Sequence, residues 1–313
     1  MGPDAADQHE TSERLCPVGR DVTLCYEAFG DPADPTVLLV AGLGQQLVSW
    51  PEPLCEALVA RGLHVVRFDN RDVGRSSRAT SRAPTAPQML LRRFPLGQYD
   101  LSDLAADAAG LIAALGLGPA HVVGMSMGGM IGQVLAAEHP HRVRSLVSIM
   151  STTGARRTGR PAPSTMRLLL AKPVAEREAA IARTVRMFRH IGSHGFPFDE
   201  AAVRDVAARA FDRGHDPAGV ARQLAAIVKS GDRTAALRAI TAPTLVVHGD
   251  RDRMVHPSGA RATARAIGGA RLETIEGMGH DLPAALLPRL AGLVADHVAV
   301  AERGGSAKEG APA

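Results

Sequence analysis

Aromatic side chains and lysines are scarce in this chain of 313 residues. Only 3% of its residues are aromatic, and only three of its 36 basic residues are lysine. The formal net charge is +4, and the arginines that supply it are spread along the chain. Nucleic-acid binding usually needs a clustered basic face and aromatic platforms on which bases stack. We therefore expect no nucleic-acid partner.

Cysteine pairs, metal-binding motifs and long apolar runs are also lacking. Cys16, Cys25 and Cys55 have no C-x-x-C spacing, which is typical of reduced structural thiols. Neither an H-x-x-E-H nor a Walker pattern occurs, so we expect no metal and no cofactor. No apolar run reaches the length of a membrane span, and the start, MGPDAADQHETSER, does not resemble a signal peptide. The expected location is cytoplasmic, with no membrane partner.

Short buried strands alternate with helical patterns in the first half of the chain. Thr36–Ala41 (TVLLVA) and His64–Phe68 (HVVRF) are continuous apolar runs, as expected of strands covered on both faces of a parallel sheet. Leu101–Leu115 has apolar residues at helical spacing, with Ser102 as the expected N-cap. The alternation predicts an α/β fold with a mainly parallel, doubly wound sheet.

The pattern changes after residue 153 and becomes helical, with three successive one-sided apolar faces. Strand character returns at Pro243–His248 (PTLVVH). We therefore predict a flexible segment over 1–20, a core formed by 21–153 and 239–300, a helical cap over 154–238, and a flexible tail over 301–313. A separate helical domain is the alternative to an inserted cap, but the returning strands favour an insertion.

The most informative stretch is Ala120–Ala136, AHVVGMSMGGMIGQVLA. An apolar β-branched run passes through a G-x-S-x-G motif into a segment with helical character. That is the pattern of a nucleophile elbow, a sharp strand-to-helix turn that presents a serine to a base. Ser126 is the predicted nucleophile, and the N–H of Met127 is expected to face a developing oxyanion. Chance occurrence in a glycine-rich loop is the alternative.

An acid and a histidine follow the motif in chain order. Asp250 and Asp252 come directly after the strand PTLVVH, where parallel sheets place functional groups. Either could orient a base, and either could form an ordinary turn hydrogen bond. His280 lies in a glycine-bounded loop, GMGHDLP, after the last predicted strand. Serine, acid and histidine in this order match the triad of one large fold family.

Over about residues 20–298, the chain resembles the α/β-hydrolase-fold esterases. Within that family it resembles the aclacinomycin-methylesterase group in the stretches FGDPADP, GLHVVRFDNRDVGRS, AHVVGMSMG, GFPFDEA and GMGHDLP. The loop AGLGQQLVSW departs from that group. The resemblance implies that the acid is Asp252, three residues after the strand-terminal glycine, and that the N–H of Leu43 is the second oxyanion donor. We interpret the turn DNRDVGRS as structural, with charges that satisfy each other.

The resemblance implies a serine hydrolase that cleaves small-molecule carboxylic esters through an acyl-enzyme intermediate. Met254 and Met278 lie next to motif residues in the sequence, and Trp50 lies in the loop after Leu43. All three are candidate pocket residues, and core packing is the alternative for each. Carbon–carbon bond hydrolases, perhydrolases and lactonases share the triad and stay open as alternatives. A non-catalytic small-ligand receptor on the same fold is the rival from another class.

Overall fold

The computed structural model describes residues 12–19, 21–169, 171 and 174–309, and for 305–309 the helical backbone alone. Eight strands form one sheet in the order β1-β2-β4-β3-β5-β6-β7-β8. The strands are β1 (Arg14–Gly19), β2 (Val22–Phe29), β3 (Thr36–Val40), β4 (His64–Phe68), β5 (Ala120–Met125), β6 (Val143–Ile149), β7 (Thr244–Gly249) and β8 (Arg271–Ile275). The pairs β1–β2 and β2–β4 are antiparallel, and all other neighbours are parallel.

Helices cover both faces of the sheet. They are α1 (Glu52–Val59), α2 (Ala86–Leu90), α3 (Leu101–Ala114), α4 (Met127–Glu138), α5 (Pro163–Leu169), α6 (Arg177–Ile191), α7 (Glu200–Arg213), α8 (Pro217–Ser230), α9 (Thr234–Leu237), α10 (Ser258–Ala266) and α11 (Leu287–Glu309). Strand β3 explains the layering, because Leu38 and Val40 pack with α3 and α4 whereas Val37 and Leu39 pack with α1 and α11. The predicted α/β architecture with a mainly parallel sheet is confirmed.

The stretch Ala284–Gly304, which runs into α11, is long and apolar enough to cross a membrane. Its apolar residues, however, enter the core against α1, with Leu290 and Ala291 fully buried. A long core helix can have the same length and composition, so the observation is weak evidence for a span. The predicted cytoplasmic location and the predicted absence of a membrane partner stay predictions.

Helices α5–α9 lie between β6 and β7 in the chain and are called the inserted segment below, over residues 154–238. Each of its three long helices begins at an acidic N-cap whose carboxylate accepts backbone N–H groups: Glu176 for α6, Asp199 for α7 and Asp216 for α8. The apolar face of α6 turns inward, with Ile181 and Val185 buried. Helix α8 buries Ala225 and Ala226, whereas the apolar residues of α7 are only partly buried. These caps and faces explain why this part of the chain is helical.

Three sequence predictions are wrong at element ends. Residues 14–19, predicted to be flexible, form the edge strand β1, while 1–11 lie outside the described residues. Residues 301–309 continue α11 instead of forming a flexible tail. The N-cap of α3 is Asp100 instead of Ser102, because its carboxylate accepts the Ser102 N–H and Asp103 completes a capping box.

The turn after β4, residues 69–76, does not satisfy its charges internally, so that prediction is wrong as well. Asp69 forms an ion pair with Arg213 of α7 at 2.8 Å. Asp72 receives two bonds from Arg222 of α8, at 2.8 and 2.7 Å, and a third from the hydroxyl of Tyr99 at 2.7 Å. Both aspartate side chains are fully buried. The turn is therefore an anchor between the core and the inserted segment.

Removing one partner of this anchor is expected to destabilise the fold strongly. Arg222→Met leaves the buried Asp72 carboxylate without its cation, which costs about 3–5 kcal/mol in comparable buried pairs. Urea unfolding followed by circular dichroism measures the free energy of unfolding. The matched control is Arg204→Met, which removes the exposed Arg204–Glu178 pair and is expected to change little.

Asp72→Asn in the Arg222→Met background removes the unpaired charge and should recover part of the loss. A loss below about 1 kcal/mol for Arg222→Met would contradict this account, because exposed pairs contribute that little.

Candidate active site

Ser126 sits at the apex of the turn between β5 and α4 in a strained backbone conformation. Its φ of 55° and ψ of −118° lie in a region of backbone conformation that residues other than glycine rarely adopt. The flanking glycines allow the turn to close: a Cβ at Gly124 would lie 2.2 Å from the carbonyl of Gly128, and one at Gly128 would lie 2.0 Å from that of Val40. The Ser126 N–H donates to Ile149 at 2.9 Å, so the turn is held by β6.

The structure brings Ser126, His280 and Asp252 together from three separate elements. The Ser126 Oγ lies 3.0 Å from His280 Nε2, and His280 Nδ1 lies 2.7 Å from Asp252 Oδ2. A carboxylate accepts hydrogen bonds, so the imidazole proton belongs on Nδ1 and Nε2 presents its lone pair to the serine. This is the arrangement in which a serine hydroxyl can lose its proton as it attacks.

Asp252 is held ionised by its surroundings. Burial by itself would raise its pKa, but the electrostatic contact with His280 and hydrogen bonds from His248 and His280 keep the pKa well below the ordinary value. Its second oxygen, Oδ1, accepts the backbone N–H groups of Met254 and Val255, both at 2.8 Å. The carboxylate is therefore fixed in orientation as well as in charge.

Asp250, the other acid considered from the sequence, points elsewhere. Its Oδ1 accepts the N–H of Gly277 at 2.7 Å, and its Oδ2 lies 3.5 Å from Arg251 Nε. These contacts are those of a turn at the end of β7. The structure thus brings Asp252, and not Asp250, to His280.

Two N–H groups, those of Met127 and Leu43, are expected from the sequence to bind an oxyanion, and the residue before Leu43 lies near Ser126: a Cβ at Gly42 would lie 3.4 Å from the Ser126 Cβ. Met127 is the first residue of α4, so its N–H has no partner within the helix. No partner is found for the Leu43 N–H in the part of the chain that the structure describes. The loop that carries Leu43 is fixed on both sides, because Gly42 donates to Gln45 Oε1 at 3.0 Å and Gly44 donates to Gln223 Oε1 at 2.9 Å.

Two candidate pocket residues lie in the core instead, so their prediction is wrong. The Trp50 side chain is fully buried with Leu54 of α1 in the core on that side of the sheet. Met278 is also fully buried, and its Cβ lies close to Gly249. Met254 is half-buried beside Asp252 and stays a candidate pocket residue.

Three polar residues around the site were not predicted from the sequence. His248 of β7 has its Nε2 at 2.7 Å from the Val255 carbonyl and 3.3 Å from Asp252 Oδ2. Gln223 of α8 holds the loop of Leu43. Ser193, after α6, contacts the loop of His280. His248 could have been considered because it lies in the strand that leads to Asp252, whereas the other two depend on contacts distant in sequence.

Cysteine chemistry and metal binding receive no support near the site. The three cysteines are buried and free, and burial together with the negative charges of Asp69 and Glu13 raises the pKa of Cys25 to about 12. Such a thiol is a poor nucleophile. Over the described ranges, no group of three or more histidine, cysteine, aspartate and glutamate side chains could hold a metal ion.

Comparisons with known proteins show the family of the chain. A family model for the alpha/beta hydrolase fold matches residues 35–283. The chain is 34% identical to the rhodomycin D methylesterase of Streptomyces peucetius over 302 residues, which cover 90% of this chain and 96% of that protein. It is 35% identical to the rhodomycin D methylesterase of Streptomyces sp. strain C5, with the same coverage.

Superposition on a solved structure supports the same fold. The enol-lactonase of Burkholderia xenovorans LB400 superposes with a TM-score of 0.66 at 25% identity, covering 91% of this chain and 99% of that one. The sequence-based predictions of the family, of the likeness to the methylesterase group and of a carboxylic ester hydrolase are confirmed by these matches. The chain belongs to the α/β-hydrolase fold family.

Proposed function

We propose that the chain hydrolyses carboxylic esters through an acyl-enzyme intermediate on Ser126. The observation that carries this proposal is the unbroken chain of contacts from Ser126 Oγ through His280 to Asp252, at 3.0 and 2.7 Å. His280 acts as the base, and Asp252 fixes its tautomer and stabilises the imidazolium that forms. The N–H groups of Leu43 and Met127 are the oxyanion donors.

Acylation begins when Ser126 Oγ attacks the ester carbonyl carbon and its proton moves to His280 Nε2. The carbonyl oxygen becomes an oxyanion between the two N–H donors, each worth about 3–4 kcal/mol where tested in a serine hydrolase. The tetrahedral intermediate collapses, and the imidazolium returns its proton to the departing alkoxide. An alcohol leaves, and the acyl group stays on Ser126.

Deacylation repeats these steps with water as the nucleophile. His280 accepts a proton from water as the water attacks the acyl carbon, and then protonates Ser126 Oγ as the acid leaves. The depressed pKa of Asp252 supports this role, because the carboxylate stays ionised through the working pH range. None of these steps requires a metal or a cofactor.

Methyl esters are the substrate class that we propose first, because the two relatives compared above are methylesterases. The inserted segment would form the cap that roofs the substrate pocket. It holds the loop of Leu43 through Gln223 and anchors to the turn at 69–76 through Arg213 and Arg222. Half-buried Met254 is the pocket residue that we retain.

A panel of soluble esters, graded in acid and alcohol size, tests the proposal. We expect p-nitrophenyl acetate and methyl esters to be hydrolysed, and a fluorophosphonate probe to label the protein. Absence of both hydrolysis and labelling would favour a ligand receptor on the same fold. Selective turnover of dienedione or lactone substrates, or peroxide-dependent halogenation, would favour the carbon–carbon bond hydrolase, lactonase or perhydrolase alternatives.

Soluble esters are expected to be hydrolysed faster than emulsified long-chain triglycerides. The outer face of α6 and α7 is covered by exposed ion pairs, Arg177–Asp212 and Arg204–Glu178 among them. A lipase lid needs a broad apolar face for the oil–water interface, and in the described part of the inserted segment the large apolar side chain that lies exposed is Met166 of α5. Rates on p-nitrophenyl butyrate and palmitate, and on tributyrin below and above its solubility limit, measure the preference. A jump in rate above that limit would refute it.

A further inference from the structure

Five hydrogen bonds join the end of α6 to the loop that carries His280. They connect residues 191–195 of the inserted segment with residues 277–281. Two join the backbones: the His280 N–H donates to Ile191 at 2.8 Å, and the Gly195 N–H donates to Gly277 at 2.9 Å. The other three involve Ser193, which is 8% exposed. We call these two strips of chain the histidine clamp.

Ser193 bonds to both neighbours of His280. Its hydroxyl accepts the N–H of Gly279 at 2.9 Å and donates to Asp281 Oδ1 at 2.5 Å. Its own N–H donates to the same carboxylate oxygen at 2.8 Å. Burial raises the pKa of Asp281, yet Ser193 supplies the carboxylate with two donors. One side chain thus fixes the residue before the histidine and the residue after it.

The backbone of the clamp is close enough that only glycine fits. A Cβ at Gly279 would lie 2.3 Å from the carbonyl oxygen of Gly192, and a Cβ at Gly277 would lie 2.6 Å from the Cα of Gly195. Gly277 also has a φ of +74°. Glycines that permit this contact also leave the free loop with many conformations, so the loop needs external contacts to hold one.

We propose that Ser193 is a positioning residue for His280, acting through Gly279 and Asp281, so that the inserted segment sets the geometry of the base. The kinetic consequence rests on the function proposed above, because it assumes that His280 takes the proton of Ser126. The imidazole ring of His280 is hydrogen-bonded to Asp252, whereas the backbone of His280 is held in position by the clamp. A displacement of about 1 Å at a reacting group can cost about 100-fold in rate.

Ser193→Ala removes the bridge and is expected to lower kcat by about 10- to 100-fold with little change in KM. Rates are expressed per active site titrated with the fluorophosphonate, so that a loss of folded protein does not count. Ser193→Thr keeps the hydroxyl and should retain most of the rate. Asp281→Asn keeps the Oδ1 acceptor and should retain more activity than Asp281→Ala.

Ser230→Ala is the matched control. The Ser230 hydroxyl also joins the inserted segment to the core, by accepting the Leu101 N–H at 2.9 Å, but it bonds to α3 and not to the loop of His280. It should leave kcat unchanged. Equal kcat values per titrated site for the wild type and Ser193→Ala would overturn the proposal, as would a loss in Ser193→Ala that Ser193→Thr does not recover.

A second readout does not depend on turnover. The Nδ1 proton of His280, donated to Asp252 at 2.7 Å, should give a downfield proton NMR resonance in the wild type. We expect it to broaden or shift upfield in Ser193→Ala and to return in Ser193→Thr. An unchanged resonance in Ser193→Ala, or none in the wild type, would overturn the positioning role. If the wild type hydrolyses no ester and is not labelled by the fluorophosphonate, the proposed function fails. The resonance would still show whether Ser193 positions His280.

Discussion

Ser126→Ala is expected to abolish ester hydrolysis, with kcat falling by about 10⁶-fold, as for removal of the nucleophile in a comparable triad enzyme. Among the described residues, the hydrogen-bond partner of His280 Nε2 is the serine hydroxyl, at 3.0 Å, so we expect no second nucleophile to replace it. The proposed oxyanion donors are backbone N–H groups, which the substitution does not remove. The residual rate should therefore be that of a bound ester attacked directly by water, without an acyl-enzyme intermediate.

Stability provides the internal control for this variant. Alanine keeps the strained φ of 55° at position 126, so the free energy of unfolding should change little. Ser126→Gly should be equally inactive but more stable than Ser126→Ala, because glycine relieves a strain of about 1–3 kcal/mol. Initial rates on p-nitrophenyl acetate and urea unfolding give both quantities. Wild-type turnover in either variant would rule out Ser126 as the nucleophile.

Asp252→Asn is expected to lower kcat by about 10⁴-fold, whereas Asp250→Asn should stay near the wild type. In Asp252→Asn, the amide oxygen must remain at the position of Oδ1, where it accepts the N–H groups of Met254 and Val255. The amide nitrogen then faces His280 Nδ1 and donates to it. The imidazole proton is forced onto Nε2, which can no longer accept the serine proton. In Asp250→Asn, by contrast, the amide oxygen can still accept the N–H that the Asp250 carboxylate binds.

The acid side of the stability profile gives a second reading of Asp252. Its folded pKa lies below the ordinary value near 3.8, so its ionised form favours the folded state. That contribution is fully present above the pKa of the unfolded chain, about 3.9, and is lost as the pH falls through the folded value. The stability difference between wild type and Asp252→Asn should therefore shrink below about pH 4. In the kinetic comparison, a larger loss of kcat in Asp250→Asn than in Asp252→Asn would assign the triad acid to Asp250 instead.

The sequence predicted what short-range chemistry dictates. The elbow needs a strand, a serine between glycines and a helix in one continuous stretch, so Ser126 and Met127 could be located without a structure. The sheet was equally accessible, because strands buried on both faces such as β3 are unbroken apolar runs. The edge strand β1 escaped prediction, since it contains Pro17 and an exposed Leu15 and lacks such a run.

Long-range contacts account for the other misses. Arg222 lies 150 positions from Asp72, and Ser193 lies 88 positions from Asp281, so no local pattern pairs them. A residue that lies near a motif in the sequence can still pack its side chain in the core and not in the site. Trp50 follows the loop of Leu43 yet packs under α1 in the core. The contacts that anchor the inserted segment and form the histidine clamp therefore become visible only in the folded structure.

Trapping the acyl-enzyme tests the central claim most directly. The protein is mixed with p-nitrophenyl acetate, quenched in acid within the first turnovers, digested and mapped by mass spectrometry, with Ser126→Ala treated in parallel. The account predicts an acetyl group on Ser126 in the wild type and none on the corresponding peptide of the variant. Turnover with Ser126 unmodified and the acetyl group on another side chain would contradict it.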